Sequence, residues 1–98
     1  MVYNLEYLPL AAIDIMEAEA GLYEFSPAAA DKFSKEITNL EEKLCDHPFL
    51  YQVYEDDDYY RSLNLPYNYR LFYHVDGETG IIKVHRILHG MRNLNDLI

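Results

Sequence analysis

The side chains best suited to polar chemistry sit late in the chain. Arg61, Arg70, Arg86 and Arg92 are all of its arginines, and His74, His85 and His89 lie among them. A guanidinium presents a planar fork of N–H donors to an anion, and an imidazole that titrates near pH ~6.5 can give or take a proton. His89 is therefore a candidate acid or base, and the arginines are a candidate anion-facing surface. The net charge of −9, taken as a whole, opposes this, because a polyanion is repelled by an acidic protein. The charge is unevenly distributed, however: residues 1–58 carry fourteen carboxylates against Lys32, Lys35 and Lys43, whereas residues 59–98 carry a balance of +2. The competing use of these charges is simply to keep a small domain soluble.

Two other constellations do not hold up. His85 and His89 have the i, i+4 spacing that suits zinc on a helix, but in a strand they stand ~13 Å apart and cannot share one ion. Glu55-Asp56-Asp57-Asp58 lacks the spaced ligands and central glycine of a calcium loop. No metal and no cofactor are expected.

The elements that must position these residues follow from period and punctuation. Val2 to Tyr7 alternates apolar with polar, the period of a strand. Pro9 suits the first turn of a helix, and Leu10, Ile13, Met16, Ala20 and Tyr23 recur at helical spacing as its expected buried stripe. Asp14, Glu17 and Glu24 fall on its expected solvated flank. Ser26-Pro27 reads as an N-cap followed by proline at the first helical position. The second helix carries Ala30, Phe33, Ile37, Leu40 and Leu44 as its core stripe and ends at Asp46-His47-Pro48. Residues 49–58, with their run of carboxylates, read as an exposed loop.

Three strands follow: Tyr59 to Leu65, Tyr69 to Val75, and Ile81 to Leu88, the last two joined by Asp76-Gly77-Glu78-Thr79-Gly80. Residues 1–98 thus form one α+β domain of order β-α-α-β-β-β, a helical hairpin packed on one face of a small antiparallel sheet. With all five turn residues unpaired, Arg70 falls opposite Arg86; one step of slippage places it opposite Ile87. In either register Tyr69, Leu71, Tyr73 and Val75 face the core. Arg70, Phe72 and His74 take the open face, where the site is expected.

Half the chain is apolar and 14% is aromatic, enough for one packed core. The lone Cys45 and the lack of a basic-then-apolar leader or an apolar run of ~18 residues point to a cytoplasmic protein with no membrane association.

The segments Leu5-Glu6-Tyr7-Leu8-Pro9-Leu10-Ala11, Tyr69-Arg70-Leu71-Phe72-Tyr73-His74-Val75-Asp76 and Arg86-Ile87-Leu88-His89-Gly90-Met91-Arg92 resemble the RelE/ParE superfamily of plasmid-stabilisation toxins, in the same order over almost the whole length. The resemblance implies the toxin of a type II toxin-antitoxin system, neutralised by a cognate antitoxin. RelE-like members are ribosome-dependent endoribonucleases that cut messenger RNA. ParE-like members inhibit growth by binding DNA gyrase and are not enzymes.

Metal-independent cleavage through the 2′-hydroxyl needs a base, an acid and cations on the phosphorane. Arg70 and Arg92 fall where similar nucleases contact phosphate, Arg61 falls near a basic position, and His89 would be the acid or base. Yet Leu63 replaces a lysine expected beside Arg61, and Ile98 replaces a late tyrosine. The closing segment is instead similar to ParE-like members. The expectation is therefore a ParE-like toxin with Arg61, Arg70, Arg86 and Arg92 facing its target. Arg70, His89 and Arg92 become catalytic only in a nuclease.

The resemblance also implies an antitoxin segment laid over the hairpin and open sheet, with Phe33, Ile37, Leu40 and Phe72 as its expected groove. A third class, a non-toxic inhibitor that uses the acidic half to occupy a basic partner, is separated from both by growth arrest on expression. A homodimer is compatible with the sequence but not indicated by it.

Overall fold

A computed structural model describes residues 2–90. Its elements run β1 (Asn4–Tyr7), α1 (Pro9–Phe25), α2 (Pro27–Asp46), β2 (Arg61–Leu65), β3 (Tyr69–Asp76) and β4 (Ile81–His89). Two helices pack on one face of a four-stranded sheet of order β1-β4-β3-β2. The three later strands form the expected antiparallel meander, while β1 joins its far edge parallel to β4. The sheet is therefore mixed, with the hairpin supplying the crossover between β1 and the rest.

Ser26 makes the hairpin tight. Its N–H donates to the Leu22 carbonyl at 2.7 Å, ending α1, and its hydroxyl accepts from the Ala29 N–H at 3.4 Å, starting α2. One extended residue thus satisfies groups at both helix ends. Gly21 does not end α1, which continues to Phe25.

The stripe expected on α2 is the one buried: Ala29, Ala30, Phe33, Ile37, Leu40 and Leu44. The stripe expected on α1 is not. Its buried residues are Ala11, Ala18 and Leu22, with Ile15 packed alongside. Leu10, Ile13, Met16 and Tyr23 are 52%, 49%, 68% and 63% exposed. Helix α1 is apolar on two sides, and its small alanines take the inner one because they let its backbone approach the sheet and α2 closely. From the sheet, Leu63, Leu65, Leu71, Tyr73, Ile82, Val84 and Ile87 meet this helical layer.

The hairpin leaves its turn in the slipped register and departs from it only beyond a bulge. Asp76 pairs with Ile81, Val75 with Ile82, and Arg70 with Leu88. A bulge between the Tyr73–Val84 and Phe72–Arg86 pairs leaves His85 as an extra residue on β4. Between β2 and β3 the chain turns through Pro66–Asn68, where Tyr67 and Asn68 both adopt left-handed backbone at φ 64°.

The sheet's other face is not open. The segment after α2 crosses it, and Tyr54 packs with Phe72, Leu88 and Tyr60 into a second, smaller core. Phe72 is completely buried there. Part of the acidic run helps fold this segment: an Asp57 carboxylate oxygen accepts the Tyr59 N–H at 3.1 Å. The same segment shields the start of the β2 edge, where the Ser62 N–H donates to the Gln52 carbonyl at 3.2 Å.

Candidate functional site

The expected gathering of guanidinium groups on one face is not what the fold produces. Arg61 pairs with Tyr73 across the ladder and so points to the helical side. Its Nη1 donates to the Tyr51 carbonyl at 2.7 Å, and its guanidinium lies 5.0 Å from the Phe49 ring centroid. Beside it, the Tyr73 hydroxyl donates to the Pro48 carbonyl at 3.1 Å. Burial pushes that phenol up to about 12, with the nearby Arg61 charge opposing the shift.

Arg86 is committed to α1. Its Nε donates to Asp14 Oδ2 at 2.8 Å and its Nη2 to Asp14 Oδ1 at 3.0 Å, and Oδ2 also accepts the Ile87 N–H at 2.9 Å. Strand β1 pairs β4 only as far as Val84, so Asp14 takes over as the acceptor for the β4 backbone beyond it. Hydrogen bonding to Asp14 raises the Arg86 pKa above its ordinary value. Asp14 is therefore a structural anchor and not part of a solvated flank.

Arg70 lies on the face away from the helices, whereas Arg86, although it pairs with Phe72 across the ladder, turns its guanidinium to Asp14 of α1. The Arg70 Nη2 donates to Ser62 Oγ at 2.9 Å, and its guanidinium lies 4.9 Å from the Tyr54 ring and 5.4 Å from the Phe72 ring. It borders a cleft of about 570 Å³ whose walls include Gln52, Val53, Glu55, Ser62 and Asn64. The two rings and the Ser62 hydroxyl together fix the guanidinium at the border of that cleft.

His89 is on the other side of the sheet. It pairs with Tyr69, their rings lie 4.8 Å apart, and Tyr69 packs at 5.1 Å on Phe33 of α2. His89 thus shares a cleft of about 300 Å³ with Asp14, Glu17 and Arg86, not with Arg70. Arg92 lies outside the described residues.

The four residues expected to form an antitoxin groove are packing residues: Phe33 and Phe72 are 0% exposed, Ile37 7% and Leu40 8%. Their alternation and helical spacing are those of a core, and the structure uses them as one.

A cluster that the sequence does not announce covers the far face near the bulge. Tyr59 stacks on His74 at 3.7 Å and 6°, and the His74 Nδ1 lies 2.8 Å from the Tyr59 carbonyl. His85 is edge-on to Tyr60 at 5.0 Å, and its Nε2 is buried without a hydrogen-bond partner. Burial pushes the His85 pKa below its ordinary value, with the His74 and Lys83 charges acting the same way. The only sequence signal for this lid is the density of tyrosines from Tyr51 to Tyr60. Among the described residues no three His, Cys, Asp or Glu side chains are placed to hold a metal ion, and no helix is long and apolar enough to cross a membrane.

This arrangement of a helical hairpin on a four-stranded mixed sheet is that of the RelE/ParE toxins. The toxin-antitoxin complex RelBE2 from Mycobacterium tuberculosis contains a chain similar to this one at TM-score 0.62 and 16% identity, over 94% of this chain and 95% of that one. The isolated E. coli RelE toxin is similar at TM-score 0.62 and 14% identity, over 96% and 90%. No curated protein matches the chain in sequence. The family model for the ParE toxin of the type II toxin-antitoxin system, parDE, matches residues 5–94, and the chain belongs to that family.

Proposed function

We propose that this toxin is ParE-like in action: it inhibits growth by binding DNA gyrase, and a cognate antitoxin neutralises it. The observation that carries this reading is the placement of Arg70 and His89 on opposite faces of the sheet. A nuclease needs its proton-transferring group and its phosphate-binding cation within reach of one scissile linkage. Here the sheet itself separates them, and Arg61 and Arg86 already serve the Tyr51 carbonyl and Asp14. What remains outward on the far face is a single ring-supported guanidinium beside a cleft, which suits contact with a partner surface.

The match of the ParE model over most of the chain supports the same reading. The antitoxin follows from the family and from the M. tuberculosis relative, which is a toxin-antitoxin complex. Induced expression of the chain should arrest growth. Co-expression of an adjoining small reading frame with a DNA-binding N-terminus and an amphipathic C-terminus should restore it. Unimpaired growth on expression alone would instead favour the non-toxic inhibitor.

A further inference from the structure

The lid over the far face is a loop closed on itself. Within residues 54–60 the Tyr54 N–H donates to the Tyr60 carbonyl at 2.8 Å, the Tyr60 N–H to the Asp57 carbonyl at 3.1 Å, and the Asp57 N–H to the Tyr54 carbonyl at 3.3 Å. Three tyrosines fix this loop to the sheet. Tyr54 is edge-on to Phe72 at 5.0 Å, Tyr59 stacks on His74 at 3.7 Å, and Tyr60 is edge-on to His85 at 5.0 Å. Two of these contacts are made to imidazoles, which titrate in mildly acidic solution.

The two imidazoles answer a proton differently. His74 Nδ1 lies 2.8 Å from the Tyr59 carbonyl, and an Nδ1–H donates to it whether the ring is neutral or charged. His85 is the residue that the β4 bulge inserts, and among the described residues its buried Nε2 has no partner. Beside it lies a cavity of about 400 Å³ whose walls include Leu8, Pro9 and Leu10, apolar side chains with no acceptor to offer. His74 from β3 and Lys83 from β4 both oppose a charge on His85, and Arg86 next to it is held by Asp14. On the lid, Asp56 accepts from the Tyr54 hydroxyl and Asp57 from the Tyr59 N–H, and burial keeps the Tyr60 phenol above its ordinary pKa. A protonated His85 under the closed lid is therefore a charged donor without an acceptor, an arrangement of high cost.

We infer that the Tyr54–Tyr60 loop is an acid-released lid: protonation of His85 detaches it from the sheet, uncovers Phe72 and Leu88, and withdraws Tyr54 from the Arg70 guanidinium. The device is independent of what the cleft at Arg70 binds. In the released state His85 reaches water and takes up a proton near the ordinary pH ~6.5, whereas under the closed lid it refuses one until lower pH. Falling pH therefore favours release. One proton can change the opening equilibrium by at most about tenfold between pH ~7.5 and ~5.5.

Amide hydrogen exchange of the purified full chain, followed by NMR and corrected for the intrinsic pH dependence of exchange, reads this directly. The amides to follow are Tyr54, bonded to the Tyr60 carbonyl, and Ser62, bonded to the Gln52 carbonyl where the crossing segment meets β2. Both should lose protection severalfold, up to about tenfold, between pH ~7.5 and ~5.5, while amides in the centre of β3 remain more strongly protected at both values. His85→Phe, which keeps an aromatic edge against Tyr60 but cannot titrate, should abolish the change. His85→Leu serves the same purpose should the phenylalanine fail to fit. Protection of Tyr54 and Ser62 that is equal at the two pH values, or a loss that persists in both variants, would overturn the inference. So would exchange of these amides at the same opening free energy as β3, because the whole domain would then be unfolding and no separate lid would exist.

Discussion

Asp14 and Arg86, separated by 72 residues, close the gap between α1 and the sheet through one carboxylate that accepts from Arg86 Nε, Arg86 Nη2 and the Ile87 N–H. The side chains are 11% and 13% exposed, so the pair is largely shielded from water. Removing one partner of such a pair leaves the other charge buried without compensation, which typically costs about 3–5 kcal/mol. Asp14→Ala should therefore lower stability by about 3 kcal/mol, read as a lower urea midpoint. Double replacement of Asp14 and Arg86 by apolar residues should recover much of that loss, because no unpaired charge remains.

Phe72 makes a second stability prediction with a functional corollary. It is fully buried against Tyr54 and Leu88 on the face away from the helices. Phe72→Ala should cost about 3–5 kcal/mol, as truncation of a buried aromatic does. At temperatures where the variant remains folded, it should still bind antitoxin with the affinity of the original chain. Calorimetric melting and titration of the same sample check the two halves.

His85 should give the protein a stability slope in mildly acidic solution. Burial, with the His74 and Lys83 charges, holds its folded pKa below the ordinary 6.5. As pH falls through the ordinary value, the unfolded chain takes up a proton that the folded chain refuses, so the unfolded state gains. The contribution is complete above pH ~6.5 and shrinks as pH falls toward the depressed folded value. Urea midpoints measured from pH ~7.5 down to about 5 should decline less steeply in His85→Leu than in the original chain; identical slopes would contradict this.

Arg70 and His89 should separate in function. Arg70→Ala removes the hydrogen bond to Ser62 and two ring contacts, a loss of about 1 kcal/mol in stability. It should also weaken growth arrest, with Arg70→Lys intermediate because the charge survives without the planar fork. His89→Ala should leave growth arrest unchanged. Graded induction with plating counts distinguishes the three variants.

The sequence disclosed α2 almost to the residue, because Phe33, Ile37 and Leu40 belong to one apolar stripe on an otherwise polar helix. It misled on α1 because that helix is apolar on two sides, and periodicity favours the larger residues over Ala11 and Ala18. The meander was legible from its turns, but the extra residue His85 was not, and that bulge decides which face each later side chain takes. Hence Arg70, Arg86 and His89 could be named from the sequence but not assembled. The parallel pairing of β1 with β4 is long-range and leaves no local mark. The far-face lid was hidden in a segment whose carboxylates suggested only an exposed loop, although Tyr54 and Tyr60 are what pack.

The most direct test of a target-binding toxin is to add the purified protein, in parallel, to a DNA gyrase supercoiling reaction and to a translating ribosome programmed with a defined message. Supercoiling should fall in proportion to the protein added and return when antitoxin is supplied, while the message stays full length. Undiminished supercoiling together with a cut message, abolished in both Arg70→Ala and His89→Ala, would contradict it.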